Sequence, residues 1–145
     1  MDLTPEALAE EFSKRFRVKC PEVRFSWKEA SGPAMTVPAA HPDVESMTIT
    51  FDDEELTVQI GAHYHCHFDL FRYGLGGERA KDTEQIDPAL DWIRSFLDGH
   101  IVLEIRKVDG RYAGGSTYPS AGLDDARVPP GFERFTWSGP LRHAR

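Results

Sequence analysis

Polar and apolar positions alternate without a break through residues 55–70. The even positions, Leu56, Val58, Ile60, Ala62, Tyr64, Cys66, Phe68 and Leu70, are all apolar or aromatic. The odd positions, Glu55, Thr57, Gln59, Gly61, His63, His65, His67 and Asp69, are all polar or glycine. A period of two places alternate side chains on opposite faces of a strand and is incompatible with a helix. The pattern predicts one long strand over 55–69, bent by a bulge at Gly61. Just upstream, Met47, Ile49 and Phe51 alternate with Ser46, Thr48 and Thr50. A turn over Asp52, Asp53, Glu54 and Glu55 would close this pair as a hairpin. Closure about Asp53-Glu54 sets Phe51 opposite Leu56 and Ile49 opposite Val58, so that both strands bury one face.

Helical periodicity appears twice. Thr4-Pro5 gives a hydroxyl cap followed by proline at the first helical position, and Leu8, Phe12 and Phe16 form a stripe at i, i+4, i+8. A helix over 5–17 follows. Asp87-Pro88 reads as the start of a second helix, with Ile86, Leu90, Ile93, Phe96 and Leu97 as its apolar stripe and Gly99 beyond its end. Val23, Phe25 and Trp27 predict a half-buried strand with Arg24, Ser26 and Lys28 outside. Residues 29–43, with prolines at 33, 38 and 42, read as a loop, as do the charged, glycine-rich residues 72–85. Further strands are predicted over 100–108, 111–118 and 132–137, the first two joined by the two-residue turn Asp109-Gly110. The resulting order, α-β-β-β-α-β-β-β, implies a single α+β domain over 1–145. Its expected architecture is one twisted, mainly antiparallel sheet of about six strands with two helices packed on one face.

Charge sharpens this picture. The chain of 145 residues carries a formal net charge of −7. Between Lys28 and Arg72 there is no lysine or arginine, while Glu29, Asp43, Glu45, Asp52, Asp53, Glu54, Glu55 and Asp69 all lie there. An acidic block of this kind repels nucleic acid and attracts a basic partner. Its bland alternative is a solvated surface. The first residues are acidic and amphipathic rather than signal-like, no long apolar run is present, and the two cysteines form no framework. A cytoplasmic protein with reduced thiols, no membrane association and no nucleic-acid ligand is expected.

The histidine row is the candidate for chemistry. On a strand, His63, His65, His67 and Asp69 point one way, about 6.6–7 Å from one to the next. Two imidazoles at i, i+2 reach one metal such as zinc, but three overshoot, so further ligands would have to come from His41, His100, His143 or an acid. No spacing ties those to the strand. A His-x-His after glycine and the later Pro129-Pro130-Gly131 superficially resemble a cupin. Phe132-Glu133-Arg134 then stands where a cupin needs a histidine, and a capped helix intervenes. Gly114-Gly115-Ser116-Thr117 lacks the context of a nucleophile elbow, and Cys66 alternates inward. The bland reading of the row is a hydrogen-bonding surface. It is favoured over catalysis, and no cofactor is expected.

The His63–Asp69 strand end, the helix Asp87–Gly99, the Asp-Gly-Arg hairpin at 109–111 and Thr136-Trp137-Ser138-Gly139 together resemble small bacterial immunity proteins of polymorphic or contact-delivered toxin systems. The resemblance implies a non-catalytic protein that inhibits a toxin by tight binding. Asp52, Asp53, Glu54, Glu55, His63, His65, His67 and Asp69 then form the expected binding surface, facing a basic toxin domain. Two other readings remain: a metal-binding domain or metal-dependent enzyme using His63, His65 and His67, and self-association through a sheet edge as a homodimer.

Overall fold

The computed structural model describes residues 3–29, 32–121, 123 and 128–141. Helix α1 spans Pro5–Lys19, and the Thr4 hydroxyl accepts from the Ala7 amide at 3.2 Å, as its cap sequence predicts. Strands β1 (Ser26–Glu29), β2 (Pro33–Val37), β3 (Met47–Phe51), β4 (Glu55–Ile60) and β5 (Tyr64–Asp69) follow. They pair in chain order into a five-stranded antiparallel meander. The short hairpin β6 (Phe71–Tyr73) and β7 (Arg79–Lys81) leads through a 3-10 turn, Thr83–Ile86, into α2 (Asp87–Leu97). The second half adds β8 (Ile101–Val108), β9 (Arg111–Pro119), β10 (Phe132–Thr136) and β11 (Gly139–Pro140), paired in the order β11-β10-β8-β9.

The chain is therefore α+β, but in place of one sheet of about six strands the described residues form three sheets of five, four and two strands. Inward side chains of β2, β3 and β4, including Met35, Ile49 and Val58, are fully buried, and the α1 stripe of Leu8, Phe12 and Phe16 packs against β2 and β3. Helix α2 packs on α1 and reaches β8. Ile105 and Leu103 of β8 and Phe135 of β10 join the same buried cluster. Truncating a ring such as Phe12 to alanine would cost about 3–5 kcal/mol. No helix among the described residues is long and apolar enough to cross a membrane.

The hairpin between β3 and β4 has the predicted register, with Phe51 opposite Leu56 and Ile49 opposite Val58. Asp109-Gly110 likewise turns β8 into β9, with φ values of 52° and 76° that a type I′ turn requires. Gly99 at φ 80° ends α2, and the His100 amide donates back to the Ser95 carbonyl at 2.9 Å.

Other expectations are corrected. Residues 33–37, read as loop, form the buried strand β2, because Pro33 occupies its first position and Pro38 lies just past its end, where neither interrupts the ladder. The strand predicted from Val23 begins only at Ser26, and all four of its residues are exposed, since β1 is the outer strand of its sheet. The side-chain cap assigned to the start of α2 belongs one turn earlier: Asp82 accepts from the Glu84 amide at 2.9 Å, and Ile86 caps α2 without a side-chain bond. The loop over 72–85 contains the β6–β7 hairpin. Trp137, in Thr136-Trp137-Ser138-Gly139, is buried against Phe96.

The strand predicted over 55–69 is two strands. Chain reversal at Gly61, Ala62 and His63 sets Ile60 opposite Tyr64 and Leu56 opposite Phe68. Gly61, at φ 50°, starts this turn rather than a bulge. Three residues separate the paired Ile60 and Tyr64, so the parity of the alternation survives the reversal. Even positions on both strands still face the core, which is why the sequence pattern runs through the turn unbroken.

Candidate functional site

The outward face of the meander is a grid of polar side chains set by register. Thr48 neighbours Gln59, which neighbours His65; Thr50 neighbours Thr57, which neighbours His67; Glu55 neighbours Asp69. On β5, His65, His67 and Asp69 are exposed while Tyr64, Cys66 and Phe68 are half-buried. Burial holds the Cys66 thiol protonated, pushing its pKa to about 11, so it is no nucleophile at neutral pH.

His63 does not belong to this face, which corrects the expected row of three. It lies in the turn, 6% exposed. Its Nε2 is 2.8 Å from the Asp43 carbonyl oxygen and 2.9 Å from Glu45 Oε2. Both groups are acceptors, so the ring proton resides on Nε2. The ring meets Tyr112 of β9 edge to face. His63 therefore staples the 41–45 loop and the β4–β5 turn onto the second sheet. Turn residues follow no strand alternation, which is why periodicity misplaced it.

His65 and His67 remain together, with ring centroids 5.2 Å apart. His67 Nδ1 lies 2.8 Å from Glu55 Oε1 and 3.0 Å from Thr57 Oγ1. Because a carboxylate only accepts, this ring carries its proton on Nδ1 and presents Nε2 to solvent. Asp69 accepts from the Phe71 amide at 2.9 Å and from the Tyr73 hydroxyl at 3.2 Å.

The acids of the basic-free interval separate in space. Asp43 and Glu45 attend His63 at one end of β4. Asp52, Asp53, Glu54, Glu55 and Asp69 gather at the other. Asp52 has a structural task there: its Oδ1 accepts from the Glu54 and Glu55 amides, both at 2.8 Å. The side chains of Asp53 and Glu54 are 86% and 74% exposed. Two bases that sequence distance hid come close: Arg79 is 3.4 Å from Glu54, and Lys81 is 4.0 Å from Asp53. Exposed pairs of this length are weak. Five acids against two bases leave this end of the sheet negative.

A cleft of about 390 Å³ opens beside the histidines, between the β4–β5 turn and β9, lined in part by Gln59, His63, His65, Gly114 and Gly115. Gly115 makes the close approach possible: a Cβ there would stand 3.0 Å from the Glu104 carbonyl oxygen and 3.1 Å from that of His63. Tyr112 beyond it donates to Glu133 at 3.2 Å, and Glu133 also pairs with Lys107, which lowers its pKa. Sequence reasoning missed this support; the Gly-Gly pair was its one visible signal.

Among the described residues, no three His, Cys, Asp or Glu side chains are arranged to hold a metal ion. His41 packs on Phe135 and its Nδ1 accepts from the Asp43 amide at 3.2 Å; His100 is exposed at the foot of α2, and His143 lies outside the described residues. No family model matches the chain, and no similar curated protein or solved structure is found.

Proposed function

We propose that this chain is a protein-binding inhibitor of the immunity type, which occludes a basic toxin domain with the acidic β3–β4 turn and the outward face of β4 and β5. One observation carries the reading. Strand register sets the half-buried Glu55 beside the exposed Asp69 on the face that carries the exposed His65 and His67, and the adjoining β3–β4 turn adds the exposed Asp53 and Glu54. Charge complementarity of this kind steers association and makes it salt-sensitive. The polar grid around it, with Gln59 and Thr50 exposed and Thr48 and Thr57 half-buried, supplies hydrogen-bonding groups suited to an interface rim. His63 is buried and leaves the expected contact set, while Asp52 stays exposed in it with one carboxylate oxygen, Oδ1, engaged by the turn amides. The cytoplasm is the proposed compartment.

The test compares the wild-type chain with Asp53→Lys/Glu54→Lys as baits in parallel affinity captures from the native organism. The expected result is a basic protein held by the wild type and lost by the variant. Its toxicity on expression should be suppressed by co-expressing the wild-type chain but not the variant. Its association rate should fall steeply with added salt. Identical captures with both baits, or a captured protein whose toxicity the chain does not suppress, would overturn the proposal.

A further inference from the structure

We infer that His65 and His67 form an open, two-imidazole site for a divalent transition metal, with Glu55 behind it fixing the His67 ring. The inference concerns the isolated chain and stands or falls separately from partner binding.

Three observations converge on it. The first is spacing. Residues two apart on a strand rise about 6.6 Å, yet these ring centroids stand 5.2 Å apart. Two imidazoles bound to one tetrahedral ion through bonds of about 2.0–2.1 Å bring their rings to roughly that separation. The second is the tautomer. Glu55 Oε1, 2.8 Å from His67 Nδ1, takes the ring proton on that side and leaves the Nε2 lone pair facing outward. A carboxylate behind a histidine in this way orients the ring and raises the basicity of the ligating nitrogen. The third is availability. Among the described residues the His65 side chain makes no hydrogen bond or ion pair, and its ring contact is with His67 itself, so no other polar partner competes with an ion for its nitrogens.

The donor set defines the ligand. Two neutral imidazoles favour copper, nickel and zinc over magnesium or calcium, in the order of the divalent first-row series. Cys66 points to the opposite face of β5 and offers no sulfur. With no third aligned side chain among the described residues, the remaining coordination positions belong to water, which distinguishes an open chelate from a closed structural site.

The test uses the untagged chain, stripped of metal by a chelator and titrated calorimetrically with Cu²⁺ and Ni²⁺. One equivalent is expected, Cu²⁺ tighter than Ni²⁺, with no heat from Mg²⁺. His65→Ala and His67→Ala should each weaken binding about tenfold or more. Glu55→Gln should weaken it about tenfold while keeping the stoichiometry, the signature of a positioning carboxylate. His100→Ala, an exposed histidine elsewhere, should leave it unchanged. Circular dichroism of each variant establishes that it is folded. Affinity unchanged in the folded His65→Ala/His67→Ala double variant, or lost in His100→Ala, would overturn the inference.

Discussion

His63 and Tyr112 meet edge to face, with ring centroids 5.2 Å apart and ring planes at 90°. This contact joins the β4–β5 turn of the first sheet to β9 of the second. It separates one histidine with a structural task from two on the open face. His63→Ala would strip the Asp43 carbonyl and Glu45 of their shared donor and remove a packed ring. A loss of about 2–3 kcal/mol in urea unfolding is expected. His65→Ala should stay within about 0.5 kcal/mol of wild type in the same measurement. Equal losses would show that the two rings share one environment.

Gly115 is the second support of that junction. The methyl of Gly115→Ala would press on two backbone carbonyls and on Leu103 Cδ1 at 3.3 Å. Backbone on two sides does not yield as a flexible side chain would. Thermal melting should show a loss of about 1–3 kcal/mol.

Within the acidic turn, stability and charge divide by position. Asp52→Ala removes two amide acceptor bonds and should cost about 1 kcal/mol. Asp53→Ala and Glu54→Ala each lose an exposed ion pair and should change stability by less than about 0.5 kcal/mol. Chemical denaturation of the three single variants checks this order.

Cys66 sets an alkaline limit. Its pKa rises on folding from 9.0 to about 11 because burial penalises the thiolate. A raised folded pKa gives a contribution that is complete below about pH 9 and lost as pH rises through about 11. Cys66→Ala should flatten stability against pH across that window. At pH 8 the native thiol should react with a disulfide reagent far more slowly than the denatured chain does.

Wherever local chemistry decided the structure, the sequence could be read. Thr4-Pro5 started α1, Asp109-Gly110 turned β8 into β9, and the β3–β4 register followed from alternation and loop length alone. Two failures have separate causes. Prolines at both ends of β2 look like loop punctuation, although ladder bonds are needed only between them. The reversal at Gly61–His63 keeps strand parity, so pattern alone could not reveal it. Of the candidate surface, Asp52, Asp53, Glu54, His65, His67 and Asp69 are exposed, as the alternation and the turn imply, and Glu55 is half-buried. His63 is buried instead, because it sits in the β4–β5 turn, where strand alternation does not apply, and packs on Tyr112.

The first sheet pairs each strand only with its neighbour along the chain, from β1 to β5. Each such pairing closes a short loop, so little chain entropy is lost before contacts are gained. Closing β10 onto β8 instead spans the long segment after Pro119. The meander is thus positioned to zip early in folding, and amide protons along β3 and β4 should gain protection before those of β10 in a pulsed-exchange experiment. A surface built on β3, β4 and β5 would then be assembled ahead of the rest of the molecule.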